Sequence, residues 1–549
     1  QIDVSVKRVF MIRFRLGMFD PASMVKYAQT PFSILESPAH QAHALKMARQ
    51  SIVLLRNENQ TLPLRKTLKK IVVLGPNADN SISVLGNYNG IPSKISTIFQ
   101  GIKDKAGKNT EVVYEKAINF TNDTLLVYQD VSQQYSFTGT QGFRAEYFKN
   151  KELQGSPVLS RMEKDLNHLW QEGELVTPGL PANNFSARYS TDFKAVSSGN
   201  VTFELEADDA YRFIVNGKTV LDAWTRNRWG ARTYRLQTQK DSVYRLVLEY
   251  QQGEGKGNVR LSVGEYQKTD FIALREKHKD ADAFIFAGGI SPQLEGEEMR
   301  VNYPGFDGGD RTSILLPGVQ TDLMKVLKAS GKPVVFVMLT GSAIATPWES
   351  ENIPAIVNAW YGGQSAGTAV ADVLFGDYNP AGRLPVTFYK GDADLASFTD
   401  YSMENRTYRY FKGKPLYGFG YGLSYTTFRY DQLNLPAVVA KGKPVQVSVR
   451  VTNTGKLAGD EVAQLYLVNQ NKSVKTSLKS LKGFQRISLK PGESRVLKFT
   501  LSPQDLSYVH DEKGSVPLSG KVAISLGGCQ PDEVNPKSGN IASKTLQIQ

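Results

Sequence analysis

"DAFIFAGGISPQLEGEEM", residues 282–299, opens as a buried strand and closes as an acidic loop. Apolar residues run without polar alternation up to Ile290, the pattern of a strand covered on both faces. Glu295, Glu297 and Glu298 follow just beyond it. Similar runs recur in "KKIVVLGPNAD" and "KPVVFVML", and segments of helical composition accompany them, among them "AHQAHALKMARQSIVLL", "TDLMKVLKASG" and "SAGTAVADVLFG". Helix alternating with buried strand is the rhythm of an α/β domain.

Outward from that stretch the rhythm breaks twice. Residues 138–268 alternate polar and apolar positions in "VTFELEADDAYRFIVNGKTVLDAW" and "YRLVLEYQQGEGKGNVRLSV", with Asn-Gly and Gly-rich turns between, which reads as an antiparallel β-sandwich. α/β segments flank it on both sides, and each alone has too few strands for a covered sheet. The sandwich is therefore read as an insertion into one α/β domain, with halves at 31–137 and 269–391. After a linker at 392–430, residues 431–549 alternate again in "PVQVSVRVTNTG", "DEVAQLYLVNQ" and "GKVAISLGG", a second sandwich of immunoglobulin-like or fibronectin-like kind. At the other end "QIDVSVKRVFMIRFRLGMFD" carries apolar residues near helical spacing and stops at Gly17 and Pro21, an amphipathic helix that needs a partner surface.

At 549 residues the chain exceeds what one core supports, and 41% hydrophobic and 10% aromatic content exclude a disordered chain. No apolar run approaches the roughly 18–20 residues of a membrane-spanning helix. A formal net charge of +13 invites a nucleic-acid reading. The basic residues are dispersed and interleaved with acids, as in "LREKHKDAD", so the charge is read as a solvated surface and no nucleic-acid partner is expected. The single cysteine, Cys529, has no internal disulfide partner and is expected to be buried and inert.

In open α/β sheets ligands bind beyond the carboxyl ends of the strands, so the 295–298 loop stands at the end of the sheet where chemistry occurs. Crowded like charges there are expected to raise at least one carboxyl pKa, which suits a general acid. Glycines at 288, 289 and 296 allow a ligand close to the backbone.

Five strings together resemble the C-terminal α/β domain of the family 3 glycoside hydrolases: "ARQSIVLLRNENQTLPL", "VVLGPNAD", "LEGEEM" with "GFDGGDRTSILLPGVQ", "WYGGQSAGTAVADVLFGDYNPAGRLPVTF" and "RTYRYFKGKPLYGFGYGLSYTTF". The resemblance spans nearly the whole chain. It implies an exo-acting β-glycosidase, β-xylosidase or β-glucosidase, with "GGISPQLEGEEM" most like xylosidase-type members. Such enzymes retain configuration through an aspartate nucleophile on an N-terminal (β/α)₈ barrel and a glutamate acid/base on the following α/β domain. Retention sets the two carboxyls about 5–5.5 Å apart.

Carried onto this sequence, the acid/base falls on Glu297, with Glu295 its neighbour and alternative. Asp310 and Arg311 are expected to pair and to brace the loop. No "SDW"-like strand end supplies a nucleophile, and residues 1–30 resemble the last barrel helix and its exit, so the chain is expected to be the C-terminal portion of a larger enzyme, weakly active by itself. The insert resembles a protective-antigen-type carbohydrate-associated domain through "ADDAYRFIVNGKTVLDAW", and the last domain a fibronectin type III-like one. The resemblance also implies an oligosaccharide substrate, no cofactor, and a periplasmic or extracellular location. Trp229 and Trp224, in "DAWTRNRWG" of the insert, are expected to bind substrate by stacking on a sugar ring, Trp229 the better candidate, and a rival reading is a carbohydrate-binding module without catalysis in which the insert holds glycans. Trp224 is otherwise a strand-end core residue, Asp208 and Asp209 are read as turn residues rather than calcium ligands, and His40 and His43 as surface residues without a third metal ligand.

Overall fold

Six strands assemble into one sheet in the order Val53–Asn57, Ala355–Asn358, Val334–Leu339, Ala283–Gly289, Lys70–Leu74 and Glu111–Glu115. All neighbours are parallel except the edge pair of Val53–Asn57 with Ala355–Asn358. Successive side chains of a strand point to opposite faces, and here both faces are covered. Ile285 and Ala287 join one apolar cluster with Ile71, Val73, Val335 and Val337. Phe284 and Phe286 join the other with Val72, Leu74, Phe336 and Met338. That double burial is why these strands are unbroken apolar runs.

The first face is roofed by helices Pro38–Ser51, Ile98–Lys105 and Ala366–Leu374. Buried Asp372 ties the three together, with Arg49 and Lys105 each 2.5 Å from its carboxylate. The second face is covered mainly by Phe271–Lys277 and Gly318–Lys328, through Leu274, Leu323, Met324 and Leu327. The N-terminal helix Ile2–Arg15 buries none of its residues, and Val9, Phe10, Ile12 and Phe14 are all exposed.

The computed structural model describes residues 1–225, 231–471, 473–510, 512–531 and 541–549. The chain divides into two units, one made of Gln1–Asp123 with Asp270–Gln549 and the other of Thr124–Thr269. The second unit is a sandwich of two antiparallel sheets, one centred on Phe185–Lys194 and Val243–Gln252, the other on Gly199–Asp208 and Gly257–Lys268. Its core joins Tyr189, Phe213 and Leu248 of one sheet to Phe203, Leu205 and Val259 of the other. It starts at Thr124, earlier than the residue 138 expected, because Thr124–Tyr128 pairs antiparallel with the last strand, Thr124 opposite Lys268. The pairing holds the two ends of the unit side by side, as an insertion requires.

Within the first unit, residues from Phe428 onward form a second sandwich. A three-stranded sheet of Phe428–Asn434, Val445–Asn453 and Ser494–Leu501 packs against a five-stranded one containing Gly459–Asn469 and Gly520–Gly527. A buried ion pair, Arg383 to Glu461 at 2.7 Å, with the Tyr430 hydroxyl 2.6 Å from the same carboxylate, anchors this sandwich to the α/β layer.

Candidate active site

The carboxyl ends of four adjacent parallel strands converge on the acidic loop. Strand Lys70–Leu74 leads to Asn87 and Tyr88, Ala283–Gly289 to Glu295 and Glu297, Val334–Leu339 to Gly341 and Ser342, and Ala355–Asn358 to Tyr361. Parallel direction is what gathers these loops at one end of the sheet.

The exit of the central strand is locked before the loop begins. The buried Asn77 amide donates to the carbonyls of Gly288 and Ile290 at 2.9 and 3.1 Å. Buried Gln320 accepts from Gly289 N at 2.8 Å and donates to Gly289 O at 2.7 Å. Gly289 itself has φ +99°, and a methyl group there would lie 2.1 Å from Leu339 O, so glycine is needed twice over. Beyond the glutamates, residues 302–311 fold back as three short antiparallel strands, and Gly296 N donates to Gly309 O at 3.0 Å. The first two of these strands separate the glutamates from Asp310 and Arg311, which form the third.

The glutamates part company on this frame. Glu295 turns inward: its carboxylate accepts from the Tyr361 hydroxyl at 3.1 Å, Gly341 N at 3.3 Å and the Ser342 hydroxyl at 3.2 Å, and Asn87 donates to its carbonyl at 3.0 Å. Burial, then the Glu295 charge, push the Tyr361 phenol far above its ordinary range, so it stays a neutral donor. Glu297 faces outward and is exposed, with the hydroxyl of Tyr88 as the donor to its carboxylate. That bond is the largest reason the Tyr88 phenol titrates above its usual range, and Tyr88 is itself 84% exposed. Glu298 is exposed with φ 48°. The loop thus sends its carboxylates in different directions instead of crowding them.

The expected Asp310–Arg311 pair is not formed. The two are neighbours on one short strand and project to opposite sides, leaving Asp310 exposed. Arg311 instead points under the loop, donating through Nη1 to the Ser342 hydroxyl at 3.0 Å and Ala343 O at 2.8 Å. Its Nε and Nη2 are buried without a hydrogen-bond partner. Burial lowers the guanidinium pKa, and the nearby Glu295 charge opposes that shift. Arg311 and Glu295 therefore share Ser342 as a common brace.

In the Thr124–Thr269 unit, Trp224 is neither core nor an open platform. It is half-buried, its amide donates to Asp222 at 2.9 Å, and the Arg212 guanidinium lies 4.2 Å from its ring centre. Trp229 lies outside the described residues. Asp209 accepts from Gly253 N, and the Tyr250 hydroxyl donates to Asp208 O. His40 and His43 are exposed, and among the described residues no group of three His, Cys, Asp or Glu converges as a metal set.

Tyr88, Ser342 and Tyr361, which hydrogen-bond the loop glutamates, are residues that sequence reading passed over. Their signal was positional: "LTGS" and "WYGG" sit directly after apolar runs, where strand-end loops must fall.

Residues 52–425 match the Glycosyl hydrolase family 3 C-terminal domain, and residues 461–529 the Fibronectin type III-like domain. A xylan 1,4-beta-xylosidase of Xylanibacter ruminicola is 39% identical over 97% of this chain and 61% of its own length. A periplasmic beta-glucosidase of Salmonella typhimurium is 27% identical over 96% of this chain and 54% of its own. A crystal structure of the beta-glucosidase from Kluyveromyces marxianus in complex with glucose superposes with a TM-score of 0.65 at 26% identity, covering 93% of this chain and 62% of that one. The chain thus spans a little over half to about three-fifths of the length of these relatives. With its α/β domain matched from end to end, the chain belongs to glycosyl hydrolase family 3.

Proposed function

We propose that this chain carries the acid/base half of a retaining exo-β-glycosidase that removes terminal xylosyl or glucosyl units from oligosaccharides, with Glu297 as the acid/base. The observation that carries the assignment is the contrast between the two glutamates. Glu295 already accepts from three donors and is turned into the protein, whereas Glu297 is exposed at the strand ends and, among the described residues, accepts from the exposed Tyr88 hydroxyl alone. A general acid must reach the leaving oxygen within about 2.6–3.2 Å, and Glu297 has the free approach for that. In the first step its proton goes to the glycosidic oxygen as the second carboxylate attacks the anomeric carbon. In the second it takes a proton from the water that attacks the anomeric carbon and displaces the second carboxylate from it.

The second carboxylate is, on this reading, an aspartate of an upstream barrel in the full-length protein. The exposed apolar side of Ile2–Arg15 supports a partner of that kind. The names of the Xylanibacter and Salmonella relatives support the sugar class, and the latter also a periplasmic or extracellular location. Among the described residues no helix is long and apolar enough to cross a membrane.

The test is hydrolysis of nitrophenyl β-D-xyloside and β-D-glucoside by this chain and by the full-length protein. The chain alone is expected to leave both intact, and the full-length protein to cleave at least one. Hydrolysis by the isolated chain at ordinary glycosidase rates would reject the division of labour.

A further inference from the structure

The C-terminal sandwich and the segment before it line a half-open cavity of about 450 Å³, within the usual range for small-ligand sites. Three cations line it: Arg409 from the short helix Thr407–Tyr410, and Lys475 and Lys482 from the sandwich. Asp505 is the one carboxylate in the lining. No acid among the described residues forms an ion pair with any of the three cations. Asp505 directs one oxygen to Ser502, accepting from its amide at 2.9 Å and its hydroxyl at 2.7 Å.

The walls are fixed by contacts between the two segments. Leu478 N donates to Arg409 O at 2.7 Å, Leu481 N donates to the Tyr408 hydroxyl at 3.2 Å, and Tyr408 stacks on Phe419 with ring centres 4.1 Å apart. Serine hydroxyls held in pairs also line the cavity, Ser477 with Ser480 at 2.7 Å and Ser507 with Ser515 at 2.9 Å. Tyr410 and Tyr508 add aromatic surface. Lys482 is half-buried, and burial chiefly depresses its ammonium, with Asp505 opposing and Arg409 adding to the effect. Half-buried Lys482 loses solvation and is repelled by the neighbouring Arg409 guanidinium, so an anion entering beside the two recovers both losses.

The geometry points to a second saccharide site here, selective for a carboxylated sugar, with Arg409 and Lys482 holding the carboxylate and the serine hydroxyls and Asp505 holding ring hydroxyls. A guanidinium takes a carboxylate through two parallel hydrogen bonds, and tyrosine faces suit the apolar faces of a pyranose. A bare inorganic anion would use the cations but gain nothing from the rings, and would meet Asp505 as a repulsive neighbour. The site stands independently of which glutamate does the chemistry at the strand ends.

Isothermal titration calorimetry on the whole chain tests this with three probes: methyl β-D-glucuronoside, methyl β-D-xyloside and inorganic phosphate. Saturable binding of the glucuronoside is expected, with both other probes at least about tenfold weaker, and about tenfold or greater weakening in Arg409→Gln and in Lys482→Gln, the range for losing one charge-assisted hydrogen bond. Arg409 is exposed, so its replacement leaves folding intact and keeps the test decisive even where Lys482→Gln disturbs the sandwich. Absence of saturable binding, equal affinity for the neutral xyloside, phosphate bound as tightly as the glucuronoside, or indifference to both substitutions would each overturn the assignment.

Discussion

Glu295, Glu297 and Glu298 look equivalent in one dimension, and three dimensions separate them by where each side chain is turned. The loop's location was legible because a strand ending in glycines announces itself. The identity of the free carboxylate was not, since it depends on Ser342 and Tyr361, which arrive from strand ends and lie 47 and 66 residues downstream of Glu295. Trp224 teaches the same lesson from the other side, because nothing in "LDAWTRNRWG" foretells that Arg212 covers its ring. A separate carboxylate gives a prediction about stability. Glu349 is buried beside the Thr321 hydroxyl, 2.5 Å away, and burial raises its pKa. A carboxyl raised on folding contributes its stability in full below its ordinary range and loses it as pH climbs through the folded value. Glu349→Gln is therefore expected to raise the melting temperature at pH 8 relative to wild type, with the gain shrinking toward pH 4. Equal effects at both pH values would contradict the assignment.

At the level of elements, the buried strands were readable because both faces of the sheet are covered and polar residues have no place in them. Where a strand is short, edge-located or half-polar, the signal fails. Thr124–Tyr128 went unnoticed before residue 138 because it is a five-residue edge strand with no buried residue, defined by its pairing with Gly257–Lys268, far away in sequence. The hairpin at 302–311 was seen only as extra residues, although its turns carry Gly305, Gly308 and Gly309 at positive φ. The junction of strand and loop is the most demanding point of the site. Gly289→Ala would combine a left-handed backbone with a methyl group 2.1 Å from Leu339 O. A loss of about 2–4 kcal/mol in chemical denaturation is expected, from backbone strain plus overpacking. A change below about 0.5 kcal/mol, the size of an ordinary surface substitution, would mean that the lock on this strand is not needed.

For the whole molecule, the alternation of α/β and β segments conveyed the order of the units, while their boundaries depended on long-range pairing. Because Thr124 lies opposite Lys268, the chain enters and leaves this unit at paired positions, and a short Gly-Ser linker is expected to replace residues 124–269. The remainder is expected to keep the six-stranded sheet and a cooperative thermal transition. Loss of that transition would show that the sheet depends on the insert. The same organisation leaves Glu297 exposed at the strand ends, and its role is open to a direct chemical test in the full-length protein. Dinitrophenyl glycosides, whose leaving group needs no proton, should still glycosylate Glu297→Ala, and the stalled glycosyl-enzyme should be released by azide, which needs no general base. Azide acceleration in Glu297→Ala with a glycosyl azide of retained configuration, and none in Glu295→Ala, is the expected result. The reverse pattern, with rescue in Glu295→Ala alone, would make Glu295 the acid/base and contradict the reading of the site.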